Sequence, residues 1–507
     1  MCGIALTVNY PKSVVENILF HQRMRGPDSG NISHESNVVM GHNLLSIIGH
    51  QEQPVHGERY SMVFNGCVYS FKDLEPYSTS DTQTVLNHFE NKGLKAVNDF
   101  NGMFAIGLYD AIDKEIHLFV DRFGEKPIYY YHEGDKFAVA SSPGALYQIK
   151  DKWEIDREAL QSYWLLGSVM GEDGLMKGIK KLTASQHLTY NIRENRITIE
   201  RYWEPKFQEN TNGIEDLVID AIQKVKVSDV PVHIFLSGGI DSTLVASQFE
   251  GGDAIHLDSP EFVYAEHVAE RFQVKLKRVL PSDISVERDL KDFCLKSGEP
   301  CMSALIPYVT ARETADYGRV AITANGADEL FFGYDRTHDD VTINQINHIF
   351  RSPLGTNSNF IPWFDKATGR SLELQRYVQY DLNKTLDFAS MCHCVEVRSP
   401  FLDHRLVEMA LSITEKVHRK NGNKTILKNM LKKMGFSERF VNRAKLGFSM
   451  HAKPEGIDEL TKRAWYWCQA EGFLKVDEKR LNARDLIYLK NSALSFYYWF
   501  DVWKGKL

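Results

Sequence analysis

The pattern of apolar residues changes near residue 214 of this 507-residue chain, and that change constrains the fold more than any other feature. Before it, short runs of β-branched and aromatic residues are separated by turn residues, which is typical of an antiparallel sheet or sandwich. After it, short apolar runs alternate with helical stretches, which indicates a parallel sheet with crossover helices. From about residue 370 the pattern is mainly helical.

Individual runs predict the elements of each part. Strands of the first part are predicted at MVFNG, FAIGLYDA, IHLFVDRFG, PIYYYHEGD, FAVASS, HLTYNI and RITIERYW. Strands of the second part are predicted at VHIFL, DAIHL, KLKRVL and RVAIT, and helices at STLVASQF and VYAEHVAERF. The polar stretch 204–213 contains Pro and Gly and is the predicted linker.

Composition restricts the function classes. The net charge of −7 argues against nonspecific binding of nucleic acid or anionic membranes. No apolar run reaches the ~18 residues that a membrane helix needs, and the N-terminus lacks the basic start of a signal peptide. The seven cysteines include no C-x-x-C pair, and we interpret Cys392-His393-Cys394 as structural rather than metal-binding. These features predict a cytoplasmic protein.

A first candidate site begins at Cys2, directly after Met1. Removal of the methionine leaves a thiol beside a free α-amine, which can act as the base for that thiol. Asn65-Gly66 ends a predicted strand, where an amide and a Gly N–H can both point at a developing oxyanion. Asp81 offers a carboxylate for an ammonium group, and residues 25–28 (RGPD) predict a tight turn with one charge of each sign.

The order MCGI, RGPD, NG and SD resembles the glutaminase domain of class II glutamine amidotransferases, as do NGMFAIGLYD and DRFGEKPIYYY. The resemblance covers roughly residues 1–200 and implies a four-layer αββα sandwich of the N-terminal-nucleophile hydrolase type, assigned to residues 2–203. It implies that Cys2 attacks the side-chain amide of glutamine, that Asn65 and Gly66 hold the oxyanion, and that Asp81 binds the α-ammonium group. The implied glutamine-binding residues are Asn65, Gly66, Cys67 and Asp81.

Two positions depart from the pattern of that family. The family has Arg where Leu44 stands, on the glutamine α-carboxylate, and Glu where Cys67 stands, sharing the α-ammonium group. Each lost charged hydrogen bond is worth roughly 1.5–3 kcal/mol. Together the two losses would weaken glutamine binding roughly a hundredfold or more. Either another residue substitutes, or glutamine is a poor donor, or the amide donor is different.

A second candidate site is the Gly-rich loop that follows the predicted strand VHIFL. Glycines let the backbone approach a phosphate, and the N–H groups at a helix start bind the anion. Asp241 can ligate Mg²⁺. The loop resembles the SGG-x-DS loop of the ATP-pyrophosphatase group, which implies cleavage of ATP between the α and β phosphates. The predicted ATP-binding residues are Leu236, Ser237, Gly238, Gly239, Asp241, Ser242, Thr323 and Ala324.

A carboxylate-bearing loop at residues 323–331 follows the predicted strand RVAIT. Asp328 there can hold Mg²⁺ opposite Asp241 and neutralise a leaving pyrophosphate, so both are predicted metal ligands. The segment resembles the SGEG-x-DE-x-F loop of asparagine synthetases, whose Glu is implicated in forming the acyl-adenylate and in handling ammonia. Asn325 replaces that Glu here. An amide cannot act as a base, although it can position a nucleophile.

Four further segments resemble the same family. Residues 396–403 match E-x-R-x-PFLD, and Lys424 matches a lysine near the adenylate, where a cation stabilises charge on the α-phosphate. Residues 443–448 match the basic R-x-K-x-GF loop. Residues 299–307 match an EP…SA…P frame but are two residues shorter, and the carboxylate pocket of relatives lies near this frame. Aspartate is therefore the default acceptor.

Both halves together resemble the glutamine-hydrolysing asparagine synthetases of the B type over nearly the whole chain. The resemblance implies that residues 214–507 form an α/β ATP-pyrophosphatase synthetase domain with a parallel sheet and a helical C-terminal part. Ammonia released in the first domain would displace AMP from an acyl-adenylate made in the second with ATP and Mg²⁺. The predicted catalytic residues are Cys2, Asn65, Gly66, Asn325 and Lys424.

Two alternatives stay open. The chain could be an amide-bond former of the β-lactam-synthetase or peptide-cyclase kind, or an amidotransferase that uses a different carboxylate or amine donor. A nucleotide-binding regulator without catalysis would leave Asp241, Asp328 and Lys424 idle. The expected partners are small molecules (glutamine or ammonia, ATP, and a carboxylate such as aspartate), with no nucleic acid and no membrane. A homodimer is a possible assembly.

Overall fold

Two six-stranded antiparallel sheets form the first part of the chain in the computed structural model, which describes residues 2–280, 284–338, 369–420, 422–444 and 453–507. Their strands are β1 (Gly3–Val8), β2 (Ser29–Glu35), β3 (Val38–Leu44), β4 (Val55–His56), β5 (Tyr60–Val68), β6 (Gly102–Asp110), β7 (Glu115–Val120), β8 (Ile128–Glu133), β9 (Lys136–Ala140), β10 (Ile179–Leu182), β11 (Gln186–Asn191) and β12 (Arg196–Arg201). The strand orders are β10-β8-β9-β1-β3-β2 and β12-β11-β7-β6-β5-β4. The predicted strands of this part are all present.

Alternation along β1 shows how the layers stack. Ile4, Leu6 and Val8 pack against residues of the second sheet, whereas Ala5 packs on the other face, against the helix described next. This two-residue period is expected for a strand that is buried on both faces.

One helix covers the outer face of each sheet. The helices of this part are α1 (Lys12–His21), α2 (Phe71–Leu74), α3 (Asp81–Lys92), α4 (Pro143–Leu146) and α5 (Arg157–Leu166). Val15 and Leu19 of α1 pack on the first sheet, and Leu86 and Phe89 of α3 pack on the second. The four layers are therefore helix, sheet, sheet and helix, which confirms the predicted αββα sandwich.

A five-stranded parallel sheet forms the second part. Its strands are β13 (Val232–Phe235), β14 (Asp253–Leu257), β15 (Lys275–Val279), β16 (Val320–Ile322) and β17 (Glu396–Arg398), in the order β15-β14-β13-β16-β17. Every neighbouring pair is parallel. The parallel sheet was predicted with four strands, and β17 was not recognised as the fifth because its single valine lies between two charged residues.

Helices lie on both faces of this sheet and fill the C-terminal part. They are α6 (Ile214–Lys224), α7 (Ile240–Ala246), α8 (Phe262–Arg271), α9 (Val286–Ser297), α10 (Leu305–Ala315), α11 (Ala327–Leu330), α12 (Gly369–Glu373), α13 (Lys384–Met391), α14 (His404–Ser412), α15 (Glu415–His418), α16 (Thr425–Lys433), α17 (Glu438–Val441), α18 (Ile457–Ala470) and α19 (Ala483–Trp503). Between α12 and α13 the chain is π-helical over Leu374–Asn383. Trp465 and Trp499 are fully buried in the core.

Buried charges join the two parts. Asp387 of α13 pairs with Arg25 at 2.9 Å and with Lys126 at 3.3 Å, and the side chains of all three residues are at most 4% exposed. Asn101 donates to Asp403 at 2.9 Å across the same boundary. Among the described residues, no helix is both long and apolar enough to cross a membrane.

Asp387→Ala removes the carboxylate that two buried cations share. We expect the free energy of unfolding to fall by about 3–5 kcal/mol, because the cations are left unpaired in a dry environment. Urea denaturation followed by tryptophan fluorescence measures the change. Asp113→Ala is the control, since Asp113 pairs with Arg59 at a half-exposed surface and should contribute less than about 1 kcal/mol. Equal losses in the two variants would contradict this assignment.

Candidate functional site

The first cluster forms where β1 of one sheet meets β5 of the other. Cys2 precedes β1, and its backbone N–H donates to the Oδ1 atom of Asn65 at 2.9 Å. The Nδ2 atom of Asn65 is buried and has no hydrogen-bond partner among the described residues. A Cβ atom on Gly66 would lie 2.1 Å from the carbonyl oxygen of Met103, so only glycine fits there. The structure thus brings Cys2, Asn65 and Gly66 together.

Burial sets the charge state of this cluster. It raises the pKa of the Cys2 thiol, so deprotonation needs a base nearby. Burial also raises the pKa of Asp81 to about 7, although backbone N–H groups of Val68 and Thr82 donate to its carboxylate and oppose the shift. Asp81 therefore gains from a cationic ligand that would favour its ionised form.

These residues line a cavity of about 30 Å³. Cys2, Gly66, Cys67 and Asp81 all face it, and so does Leu44.

The chain of residues 46–49 forms one wall of this cavity and is tied to the second part of the protein. The backbone N–H of Gly49 donates to the carboxylate of Asp229 at 2.7 Å, and the N–H of Asp229 donates to the Ile47 carbonyl at 2.9 Å. The N–H of Ser46 donates to Asp28, which pairs with Arg319. Opening this wall therefore disturbs contacts between the two parts.

The second cluster lies at the carboxyl end of β13, where the Gly-rich loop leads into α7. Gly238 has a φ of +81°, and a Cβ atom there would lie 2.5 Å from the backbone nitrogen of Ala265. The hydroxyls of Ser237 and Ser242 are 3.0 Å apart, and Ser237 accepts from the N–H of Gly239 at 3.2 Å. The loop is therefore a tight turn of backbone amides and hydroxyls, as an anion site requires.

Lys424 joins the two predicted metal ligands. Its ammonium group lies 2.5 Å from a carboxylate oxygen of Asp241 and 2.5 Å from one of Asp328. The two carboxylates raise the pKa of the lysine, although burial opposes them. Asp241 follows β13 and Asp328 follows β16, and parallel strands place their carboxyl ends at one edge of a sheet. The structure therefore brings these three residues together.

The neighbouring loop after β16 carries Asn325. Thr323 donates through its hydroxyl to the Oδ1 atom of Asn325 at 3.1 Å, which leaves the amide nitrogen for another partner. Glu329 is buried, and burial beside Asp328 raises its pKa to about 8.

Other predicted segments lie in two places. Arg443 donates to the Gly238 carbonyl at 2.5 Å, so the start of the basic loop reaches the Gly-rich turn; residues 445–448 lie outside the described residues. The segment 299–307 packs against the π-helical turn, where Glu299 pairs with Lys384 at 3.0 Å and Ser303 donates to Asp381 at 3.0 Å.

Residues 392–394 are not part of any metal-binding arrangement of side chains among the described residues. Cys394 donates to the Met24 carbonyl, and all seven cysteines are free thiols. No group of three or more His, Cys, Asp or Glu side chains in the described ranges is arranged to hold a metal ion. Two carboxylates that share one ammonium group, however, suit a divalent cation completed by phosphate oxygens.

Sequence reasoning missed two residues of the first cluster. Glu396 and Arg398, which belong to β17 of the parallel sheet, also line the cavity around Cys2. Residues 396–403 were recognised only as part of the second domain. The feature that could have indicated their role is the pair of opposite charges, Glu396 and Arg398, on either side of Val397 in a strand that is fully buried.

Two family models match the chain, and curated relatives match along most of it. The glutamine amidotransferase domain matches residues 1–203, and asparagine synthase matches residues 213–369 and 363–490. Asparagine synthetase [glutamine-hydrolyzing] 3 of Bacillus subtilis (strain 168) is 27% identical, with 85% of this chain and 84% of that protein covered. A putative asparagine synthetase [glutamine-hydrolyzing] of Mycobacterium tuberculosis (strain ATCC 25618 / H37Rv) is 28% identical, with 73% of this chain and 66% of that protein covered.

A solved structure, the glutamine phosphoribosylpyrophosphate amidotransferase from B. subtilis complexed with ADP and GMP, is 13% identical and has a TM-score of 0.31. It covers 65% of this chain and 77% of its own, a likeness too low to bear on fold or function. The asparagine synthase model, by contrast, matches more than half of the residues. The chain belongs to the asparagine synthase family.

Proposed function

We propose that this protein is an ATP-dependent ligase that amidates a carboxylate, with ammonia from glutamine and aspartate as the default acceptor. The observation that carries the proposal is the assembly of Asp241, Asp328 and Lys424 beside the Gly-rich loop. A chain with a free N-terminal thiol alone would support only amide hydrolysis. The second cluster supplies the means to consume the ammonia.

At the first cluster, the α-amine exposed by removal of Met1 takes the thiol proton of Cys2. The thiolate attacks the side-chain carbonyl carbon of glutamine, and the oxyanion receives hydrogen bonds from the Asn65 amide and the Gly66 N–H. The unpartnered Nδ2 atom of Asn65 supports that role. Ammonia leaves, and water then hydrolyses the γ-glutamyl thioester to glutamate.

At the second cluster, a carboxylate oxygen of the acceptor attacks the α-phosphorus of ATP. Pyrophosphate leaves, and the product is an acyl-adenylate. Ammonia then attacks the acyl carbon, AMP leaves, and an amide remains. The N–H groups of residues 238–242 would bind the phosphates, and Lys424 would stabilise charge on the α-phosphate. Asp241 and Asp328 would hold Mg²⁺, which neutralises the departing pyrophosphate when bound.

A different acceptor is the second candidate, and Asn325 favours it. Its amide cannot take a proton from the incoming nucleophile. The segment 299–307, near which relatives bind the carboxylate, is short and its polar side chains already have partners. An acceptor other than aspartate, or an amine nucleophile other than ammonia, would suit such a pocket.

Release of AMP and pyrophosphate from ATP–Mg²⁺ with aspartate tests the proposal, with glutamine and ammonium supplied in separate reactions. Turnover with both nitrogen sources, giving asparagine, supports it in full. Turnover with ammonium alone contradicts glutamine as the donor. No turnover with either removes aspartate as the acceptor, and a screen of other carboxylates follows.

Cys2→Ala separates the two clusters. We expect glutamine-driven turnover to fall at least a thousandfold, because the thioester cannot form, while ammonium-driven turnover stays within twofold of wild type. Both rates are read from AMP release. Cys468→Ala, at a buried thiol in the helical core, is the control and should leave glutamine-driven turnover in place. An equal loss of turnover with glutamine and with ammonium in Cys2→Ala would contradict the assignment of two separate sites.

Asp241→Asn tests the second cluster. The variant keeps the shape of the side chain but loses the charge shared with Lys424 and with the cation. We expect AMP formation to disappear with either nitrogen source, while hydrolysis of glutamine to glutamate persists. Unchanged AMP formation would remove Asp241 from the nucleotide site.

Gly238→Ala tests the geometry of the loop. A Cβ atom would collide with the backbone of Ala265, so the turn must move. We expect ATP affinity, measured by titration calorimetry, to fall at least tenfold. Gly251→Ala is the matched control, since Gly251 has a similar φ of +76° and nothing within 4 Å of its Cβ position. A loss of affinity of similar size in both variants would show that backbone strain, and not the loop, is responsible.

A further inference from the structure

The cavity around Cys2 has a wall contributed by the second part of the protein. Glu396 and Arg398 of β17 both face it. We propose that these two residues bind the α-amino-acid head group of the amide donor, Arg398 the α-carboxylate and Glu396, together with Asp81, the α-ammonium group. This inference rests on the proposed hydrolysis of glutamine at Cys2 and names the residues that select that substrate.

Arg398 is the cation of this cavity. Three charged residues line it among the described parts of the chain, Asp81, Glu396 and Arg398, and Arg398 alone is positive. An α-carboxylate that enters the cavity has therefore one cationic side chain to meet. Leu44 and Cys67 also line the cavity and bring no charge to it.

One nitrogen of the Arg398 guanidinium, which also lies over the ring of Tyr69, makes no hydrogen bond among the described residues. Its Nε atom donates to Glu396 at 2.6 Å, and its Nη1 atom donates to the carbonyls of Val225 and Val227 at 2.7 and 2.6 Å. Its Nη2 atom is buried and has no hydrogen-bond partner among the described residues. Leaving a charged donor buried and unsatisfied is costly, and a carboxylate is the ligand that satisfies an arginine best.

Glu396 gives the cavity a second negative charge. Although burial opposes it, the neighbouring Arg398 lowers the pKa of Glu396, which therefore stays ionised. Its charge in turn raises the pKa of Asp81. An ammonium group between the two carboxylates relieves their repulsion.

A purely structural role explains only part of this arrangement. Holding the carbonyls of Val225 and Val227 uses Nη1, and holding Glu396 uses Nε. Neither role needs Nη2, and neither explains why the pair faces the cavity that contains the nucleophile. Recognition of a zwitterionic head group accounts for both observations.

Alkylation of Cys2 tests the inference without any need for turnover. The probes are 6-diazo-5-oxo-L-norleucine, which carries the α-amino-acid head group of glutamine, and iodoacetamide, which lacks it. Mass spectrometry of the full-length chain gives both rates at Cys2. In Arg398→Lys we expect the rate with the diazoketone to fall about tenfold to a hundredfold, because a charged hydrogen bond is lost. The rate with iodoacetamide should stay within twofold.

Rescue and control variants make the test specific. Adding Leu44→Arg to Arg398→Lys should restore the diazoketone rate at least partly, since a guanidinium returns to the lining of the cavity. Glu396→Gln, which keeps a hydrogen-bond acceptor for Arg398, should lower the same rate about tenfold. Arg405→Lys, in the Arg405–Asp403 pair away from the cavity, should change neither rate.

Three results would overturn the inference. One is an unchanged diazoketone rate in Arg398→Lys. Another is an equal fall with both probes, which would mean that Arg398 supports the reactivity of Cys2 and does not bind the head group. The third is a tenfold acceleration by Leu44→Arg alone, which would mean that the α-carboxylate had no cation before. Failure of the proposed function looks different: the diazoketone pattern holds, but the wild-type protein makes no amide from any carboxylate tested.

Discussion

A buried ion pair, Arg398 with Glu396, closes the edge of the parallel sheet against the N-terminal sandwich. Taking two charges out of water costs several kcal/mol for each ion. That cost is offset only because the two side chains neutralise each other and because Arg398 also binds carbonyls beyond α6. The pair therefore fixes the position of β17 at the edge of the sheet. It also fixes the wall that the second part of the protein contributes to the cavity around Cys2.

In the second cluster, too, a cationic side chain compensates for carboxylates that lie close together. Asp241 and Asp328 would repel each other across the edge of the sheet, and the ammonium group of Lys424 lies between them. In the proposed reaction, the lysine would turn toward phosphate oxygens when ATP and a cation bind, since its three donors are not confined to one geometry. The same side chain would then stabilise the site before binding and contact the nucleotide after it.

Local motifs and long-range contacts differ in how well the sequence predicts them. The loop of residues 237–242 could be predicted because its glycines and hydroxyls are close in sequence, and the family resemblance supplied the αββα layers. Glu396 and Arg398 could not be predicted as part of the first cluster, because no local pattern tells which surfaces of two domains meet. β17 was missed for a different reason: a single valine between two charged residues does not form an apolar run.

One backbone hydrogen bond gives the sheet edge a further significance. The N–H of Thr323, at the start of the loop that carries Asn325, donates to the carbonyl of Arg398 at 3.0 Å. The side chain of Arg398 thus lines the cavity around Cys2, while its backbone carbonyl holds the loop of the second cluster. The strand β17 therefore contacts both clusters. The site that would release ammonia and the site that would consume it are therefore positioned by the same strand, β17.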